Sequence, residues 1–329
     1  MMCRVGVLFG PQLTLYSFGP HHPMNSSRIM KFYELLPGDF VLLDPVMAGE
    51  EEIALFHSRD YIEFVKSMSE RGSGYLDYGD TPAFKGVYEA SAYVVGSTLR
   101  ALDSVLRGEV DHAFNPMGGL HHARRGSAAG FCVFNDIGVL FEAARRRGLR
   151  KILYIDIDAH HGDGVYYEYE EDPEVFIVDV HEDGRYLYPG TGFEWERGKG
   201  EAEGTKLNIS LKPGDGDSEF LARFEEAREF MEGISPDLVV LQCGGDCLDG
   251  DPITHLRCSP RVHREVARVA HEVAHRKASG RLVALGGGGY NPERVASAWI
   301  DVIREMSKDW RTSLHEDSGS PFHGGEDRG

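Results

Sequence analysis

The sequence predicts an α/β protein, a single domain built on a mainly parallel sheet with helices on both faces. Short apolar runs rich in Val, Ile and Leu alternate with amphipathic stretches along almost the whole chain. Polar and glycine-rich clusters recur directly after the apolar runs, where an open parallel sheet places its ligands. No composition break or linker divides the chain. The domain is expected over 1–310, with a polar tail over 311–329.

Taken in order, the apolar run ending at Phe9 reads as the first strand. The loop from Phe18 to Arg28 follows, and Asn25 or Ser26 could cap a helix from Arg28 to Leu36 that Pro37-Gly38 stops. Arg28 is either a solvated charge at the helix start or a cation aimed into a buried acidic pocket. Val41 to Leu43 reads as a short strand. Arg59 to Ser69 reads as a helix with Tyr61, Phe64, Val65 and Met68 on one side. Residues 71–82 form a glycine-, aspartate- and tyrosine-rich loop, as readily a surface turn as a binding loop.

Gly86 to Leu106 carries small and apolar residues on most faces, as in a helix buried against a sheet. A short strand at Ala113 precedes a glycine-rich loop with His121-His122. Asn135 or Asp136 caps a helix from Ile137 to Arg147. Beyond the central strand at Ile152 to Ile155, strands are expected at Val175 to Val180, Thr205 to Leu211, Asp237 to Gln242 and Leu282 to Leu285. Helices are expected at Val165 to Tyr169, Phe220 to Met231, Val262 to Lys277 and Pro292 to Met306. Residues from 312 onward are polar and expected to be poorly ordered.

Lys plus Arg is 35 against 53 Asp plus Glu, a formal charge of -18, which argues against a phosphate-backbone partner. No run of 18 apolar residues marks a membrane span, and the amino terminus lacks the flanks of a signal peptide. Five cysteines without a paired zinc-knuckle spacing suit a reducing cytoplasm. Without an obvious dimerisation insertion, a monomer is the simplest expectation.

The chemistry concentrates in Tyr154-Ile155-Asp156-Ile157-Asp158-Ala159-His160-His161-Gly162-Asp163. Carboxylates and imidazoles just beyond a buried strand are rarely buried unless paired or metal-bound. Along a strand, Asp156, Asp158 and His160 would share one face. Asp158 and His160 supply two of the three protein ligands a catalytic zinc needs, and Asp246, just after another strand, is the best placed third. Iron or cobalt could substitute. His121, His122, Asp156, Asp163 and Tyr290 remain. Histidines backed by carboxylates can serve as base, and a tyrosine hydroxyl can donate to an oxyanion. Together these are parts for metal-assisted hydrolysis.

On these motifs the sequence resembles the zinc-dependent histone deacetylase superfamily, which includes acetoin-utilisation deacetylases and acetylpolyamine amidohydrolases. The resemblance covers roughly residues 3 to 305. It rests on His21-His22-Pro23 through Arg28, Gly119 through Ala123, Gly130-Phe131-Cys132 and Asp156 through Gly164. It continues through Tyr188 to Gly192, Gln242 to Asp246 and Gly286 to Tyr290. It implies an arginase/deacetylase-like fold and one zinc per chain on Asp158, His160 and Asp246. His121 and His122 would pair with Asp156 and Asp163, with His122 as general base and Tyr290 as oxyanion donor. Phe131 and Tyr188 would wall a narrow channel lined by Gly130, with Asp80 at its rim. A structural potassium would sit on Asp156 and the carbonyls of Asp158 and His160.

Three positions depart from the common family pattern. Tyr188 stands where many members carry Phe, Asp179 where a serine often sits near the cation, and Cys247 where a small hydroxyl residue is usual. The loop from His181 to Gly192 resembles the acetoin-utilisation branch more than the polyamine branch. Acetylated lysine on a protein is therefore the first expected substrate and an acetylated small amine the second. Arginase-like ureohydrolysis would need two manganese ions and more bridging carboxylates.

Overall fold

Residues 2–311 are described by a computed structural model of the chain, so the expected tail over 311–329 lies outside them except for Arg311. Among the described residues, eight strands form one sheet in the order β2-β1-β3-β8-β7-β4-β5-β6. They are β1 (Val5–Leu8), β2 (Val41–Leu43), β3 (His112–Asn115), β4 (Ile152–Asp156), β5 (Val175–Glu182), β6 (Lys206–Leu211), β7 (Leu238–Gln242) and β8 (Leu282–Leu285). Every pairing is parallel. The strands near the middle are buried along their length, as expected of a parallel sheet covered on both faces.

The helices fall into two groups. On one side α1 (Ser27–Leu35), α7 (Asp217–Glu232), α8 (Pro260–Lys277) and α9 (Pro292–Ser307) pack in succession. On the other are α2 (Glu50–Ile53), α3 (Arg59–Arg71), α4 (Val87–Leu106) and α5 (Asp136–Arg146). A single turn, α6 (Asp163–Tyr166), follows β4. The expected helix at Val165 to Tyr169 therefore begins and ends earlier. The turn α2 has no hydrophobic period to announce it; Glu52 caps it by accepting the Gly49 N–H at 2.8 Å. β5 runs two residues past the expected end. Asp179 and His181 stay inside it because they satisfy each other, with His181 Nδ1 2.6 Å from Asp179 Oδ1.

α4 is buried on nearly every face, as its composition predicts. Gly96 permits its close approach to the 46–48 segment. An added Cβ would lie 2.1 Å from the Val46 carbonyl oxygen and 2.4 Å from the Ala48 nitrogen. Gly96→Ala is accordingly expected to cost about 1–3 kcal/mol of stability by overpacking. Urea unfolding measures it, and an unchanged midpoint would contradict this packing.

Candidate active site

Because the strands are parallel, the loops after β3, β4, β7 and β8 leave the same edge of the sheet. β4 ends at Asp156, so Asp158 and His160 are not strand residues and the face argument from strand periodicity does not apply to them. Their alternation is kept by side chains instead. Asp156 Oδ1 accepts the Asp158 N–H and Asp158 Oδ1 accepts the His160 N–H, both at 3.0 Å.

Asp158, His160 and Asp246 converge, each buried, with candidate ligand atoms all within 4.8 Å of one another. His160 Nδ1 lies 3.1 Å from Asp158 Oδ1 and 3.0 Å from Asp246 Oδ2. Tetrahedral zinc bonds of about 2.0–2.1 Å would set such atoms roughly 3.3 Å apart. The outward oxygens are held by the protein. Asp158 Oδ2 accepts the Gln242 side-chain amide at 2.9 Å and the Gly288 N–H at 2.8 Å, while Asp246 Oδ1 accepts the Ala159 N–H at 2.7 Å. One oxygen of each carboxylate is thereby turned toward the shared centre. This donor set fits a divalent metal.

Two histidine–carboxylate pairs stand beside this cluster. His121 Nδ1 lies 2.7 Å from Asp156 Oδ2, and His122 Nδ1 lies 2.6 Å from Asp163 Oδ1. An ionised carboxylate can only accept, so each Nδ1 carries a proton and the Nε2 atoms, 3.1 Å apart, face each other. The two imidazoles differ. Burial would lower both, but Asp156 and Asp158 lift His121 to about 10. Burial and the neighbouring His121 charge bring His122 down to about 4, against the pull of Asp163. Tyr154 donates to Asp156 at 2.6 Å and Arg124 to Asp163 at 3.2 Å, fixing the carboxylates in turn.

Tyr290 lines the same small cavity as His121, His122, Asp158, His160 and Gly130. Its backbone N–H donates to Asp251 at 2.8 Å and its ring meets Phe131 edge-on, centroids 5.8 Å apart. Tyr188 lies edge-on to His122 at 5.1 Å and to His160 at 6.3 Å, so Phe131 and Tyr188 contact different members of the site. Gly130 has φ +54°, and a Cβ there would meet the His122 ring at 2.5 Å. Asp80 and Tyr188 border one opening together with Asp77, Tyr78 and Gly79. Asp80 is exposed as a residue, and partial desolvation of its carboxyl together with its neighbour Asp77 raises it to about 6. Asp179 faces Asp156 across the β4–β5 ladder, and one of its oxygens accepts the Gly162 N–H at 2.9 Å.

Several residues that the sequence singled out without a definite partner are placed by the fold. Arg28 is buried, and its guanidinium donates to the carbonyls of Gly287 at 2.6 Å and Gly289 at 2.9 Å while lying over Trp299. Of its two possible fates it takes the buried one, but its partners are carbonyls. Asn135 is the α5 cap, leaving Asp136 to accept the Gly119 and Leu120 N–H groups that lead into the tandem histidines. His22 packs edge-on against Phe131 and its Nε2 lies 3.1 Å from the Asp80 carbonyl. Cys247 is buried beside Cys258, apart from the cluster's donor set.

A sheet of this order bearing a two-carboxylate, one-histidine cluster and tandem histidines defines an amidohydrolase-type enzyme. Residues 22–306 match the model of the histone deacetylase domain, and the chain belongs to that family. Within it the chain sides with the acetoin-utilisation branch. It is 40% identical over 313 residues to the acetoin utilization protein AcuC of Bacillus subtilis, covering 91% of this chain and 81% of that one. The AcuC of Staphylococcus xylosus is 32% identical over 317 residues, 92% of this chain and 82% of that protein. Among solved structures, a histone deacetylase homolog complexed with SAHA superposes with a TM-score of 0.82 at 31% identity, covering 93% of this chain and 84% of that one. The HDA15 HD domain gives 0.83 at 25% identity, over 92% and 89% of the two chains.

Proposed function

We propose that this enzyme hydrolyses the amide bond of N-acetyl-lysine on protein or peptide substrates, releasing acetate. The observation that carries this reading is the shared cavity lined by the tandem histidines, by Asp158 and His160 of the three-ligand cluster, and by Tyr290. Zinc held by Asp158, His160 and Asp246 would supply Lewis-acid polarisation of the acetyl carbonyl and of a water beside it. His122, neutral at physiological pH, takes the proton of the attacking water on Nε2 and returns it to the lysine amine as the C–N bond breaks. His121 stays cationic and favours the negative charge that develops. The Tyr290 hydroxyl donates to the oxyanion. Phe131 and Tyr188, with Gly130 between the wall and His122, grip the lysine methylenes, and Asp80 accepts from the substrate backbone. Potassium on Asp156 and the Asp158 and His160 carbonyls, with Asp179 nearby, would stiffen the loop.

The exposed rim at Tyr78 and Asp80 leaves room for a protein loop. Two carboxylates at that rim, Asp77 and Asp80, support acetylpolyamine as the second reading. Five free cysteines suit a reducing compartment, and we assign the reaction to the cytoplasm. Zinc-loaded protein is to be assayed on matched acetyl-lysine peptide and N-acetylpolyamine, with potassium or sodium as the salt. Peptide preference and higher activity in potassium are expected. Preference for the polyamine would move the substrate assignment, and turnover of neither would sink the deacetylase reading.

A further inference from the structure

At the opposite, amino-terminal edge of the sheet lies a second cluster of metal-ligating side chains. Cys3 precedes β1, His112 is the first residue of β3, and His271 and His275 stand one turn apart near the end of α8. Their candidate ligand atoms all lie within 4.8 Å of one another. We propose that Cys3, His112, His271 and His275 form a structural site for a transition-metal ion of the zinc class.

The geometry is close to that of such a site. His275 Nε2 lies 3.5 Å from Cys3 Sγ and 3.1 Å from His112 Nε2. One sulfur at about 2.3 Å and nitrogens at about 2.0–2.1 Å around a tetrahedral ion would be separated by roughly 3.3–3.6 Å. His271 packs edge-on against both other rings, with centroids 4.7 Å from His112 and 4.8 Å from His275. Its Nε2 is buried and has no hydrogen-bond partner among the described residues. A buried polar nitrogen without a partner is costly, and a fourth coordinate bond would satisfy it. Cys3 is anchored by its N–H, which donates to the Ser307 carbonyl at 2.9 Å, and the Trp310 ring stacks on His275 at 5.4 Å.

The protonation states suit an incoming cation. Burial and the neighbouring imidazoles hold His112 well below its ordinary range, and burial brings His271 down to about 3, so their lone pairs are free. Burial raises the Cys3 thiol, so one proton leaves sulfur for solvent as the metal–thiolate bond forms. Four protein ligands close the coordination sphere, which marks a structural role. Such an ion would tie together the chain ahead of β1, the start of β3 and the end of α8.

Cobalt reports this site apart from the catalytic one, because only this donor set contains a thiolate. Full-length protein loaded with Co²⁺ is expected to bind two ions and to show a near-ultraviolet sulfur-to-cobalt charge-transfer band. Cys3→Ser should lose the band and one ion while remaining folded by circular dichroism. His275→Gln should also lose the band. The band decides. Its absence from the native chain, or its survival in Cys3→Ser, would overturn the proposal. A single ion with the band present would support this site and sink the Asp158, His160 and Asp246 assignment instead.

Discussion

Tyr290→Phe is expected to lower kcat about 10²–10³-fold, or about 3–4 kcal/mol of transition-state stabilisation, with KM and the catalytic metal content unchanged. The hydroxyl must be both placed and protonated. Placement comes from the backbone: Asp251 takes the Tyr290 N–H, and Arg28 holds the Gly287 and Gly289 carbonyls of the same loop. Protonation comes from burial, which with Asp246 and Asp158 pushes the phenol well above its ordinary range, so it remains a neutral donor. The substitution removes one oxygen and leaves the ring against Phe131. Steady-state kinetics on an acetyl-lysine peptide, with metal analysis of the same samples, tests it. A loss under about tenfold would assign oxyanion stabilisation to another group.

His122→Ala should cost about 10²–10⁴ in kcat, the usual contribution of a positioned acid–base group. The pH dependence identifies the cause. As the proposed general base His122 acts in its neutral form, and burial together with the His121 charge has lowered its pKa to about 4. It gains a proton only as pH falls toward that value. At saturating substrate kcat should therefore hold level on acidification through the range where an ordinary histidine titrates, while protonation of Asp80 near 6 acts on KM. His121, lifted to about 10, remains cationic throughout. His121→Gln removes that charge, so the acid limb should move to higher pH. A limb that does not move would show that burial alone sets the base.

Much of this was legible in the sequence because strands and catalytic groups have local signatures. The Leu282–Leu285 strand falls where its apolar run lies, and β4 and β7 are each followed within a few residues by the acidic and histidine clusters. Partners that meet only through the fold left no such mark. Arg28 spends its charge on carbonyls 259 and 261 residues away, so no complementary charge pattern announces it. Asp136 looks like a cap from its position but accepts two N–H groups from the preceding loop. Asp179 and His181 read as polar strand-end residues, yet lie within β5 because they pair. Cys3 and His275 touch across 272 residues, which no local spacing could reveal.

The position of β8 has a consequence for how the protein is made. β8 is the last strand in the chain, yet it lies in the sheet's interior, pairing with β3 on one side and β7 on the other. Without β8 the strand pairings divide into two slabs, β2-β1-β3 and β7-β4-β5-β6, and residue 285 must leave the ribosome before they can be joined. Each slab then ends, at β3 or β7, in an edge with unpaired backbone groups, the kind of template that recruits other chains. The nascent protein is thus expected to pass through a stage in which most of its core is synthesised and the β3 and β7 edges are open. Closure and the arrival of Tyr290 come within five residues of each other, so the sheet loses its open inner edges and gains the proposed oxyanion donor almost together.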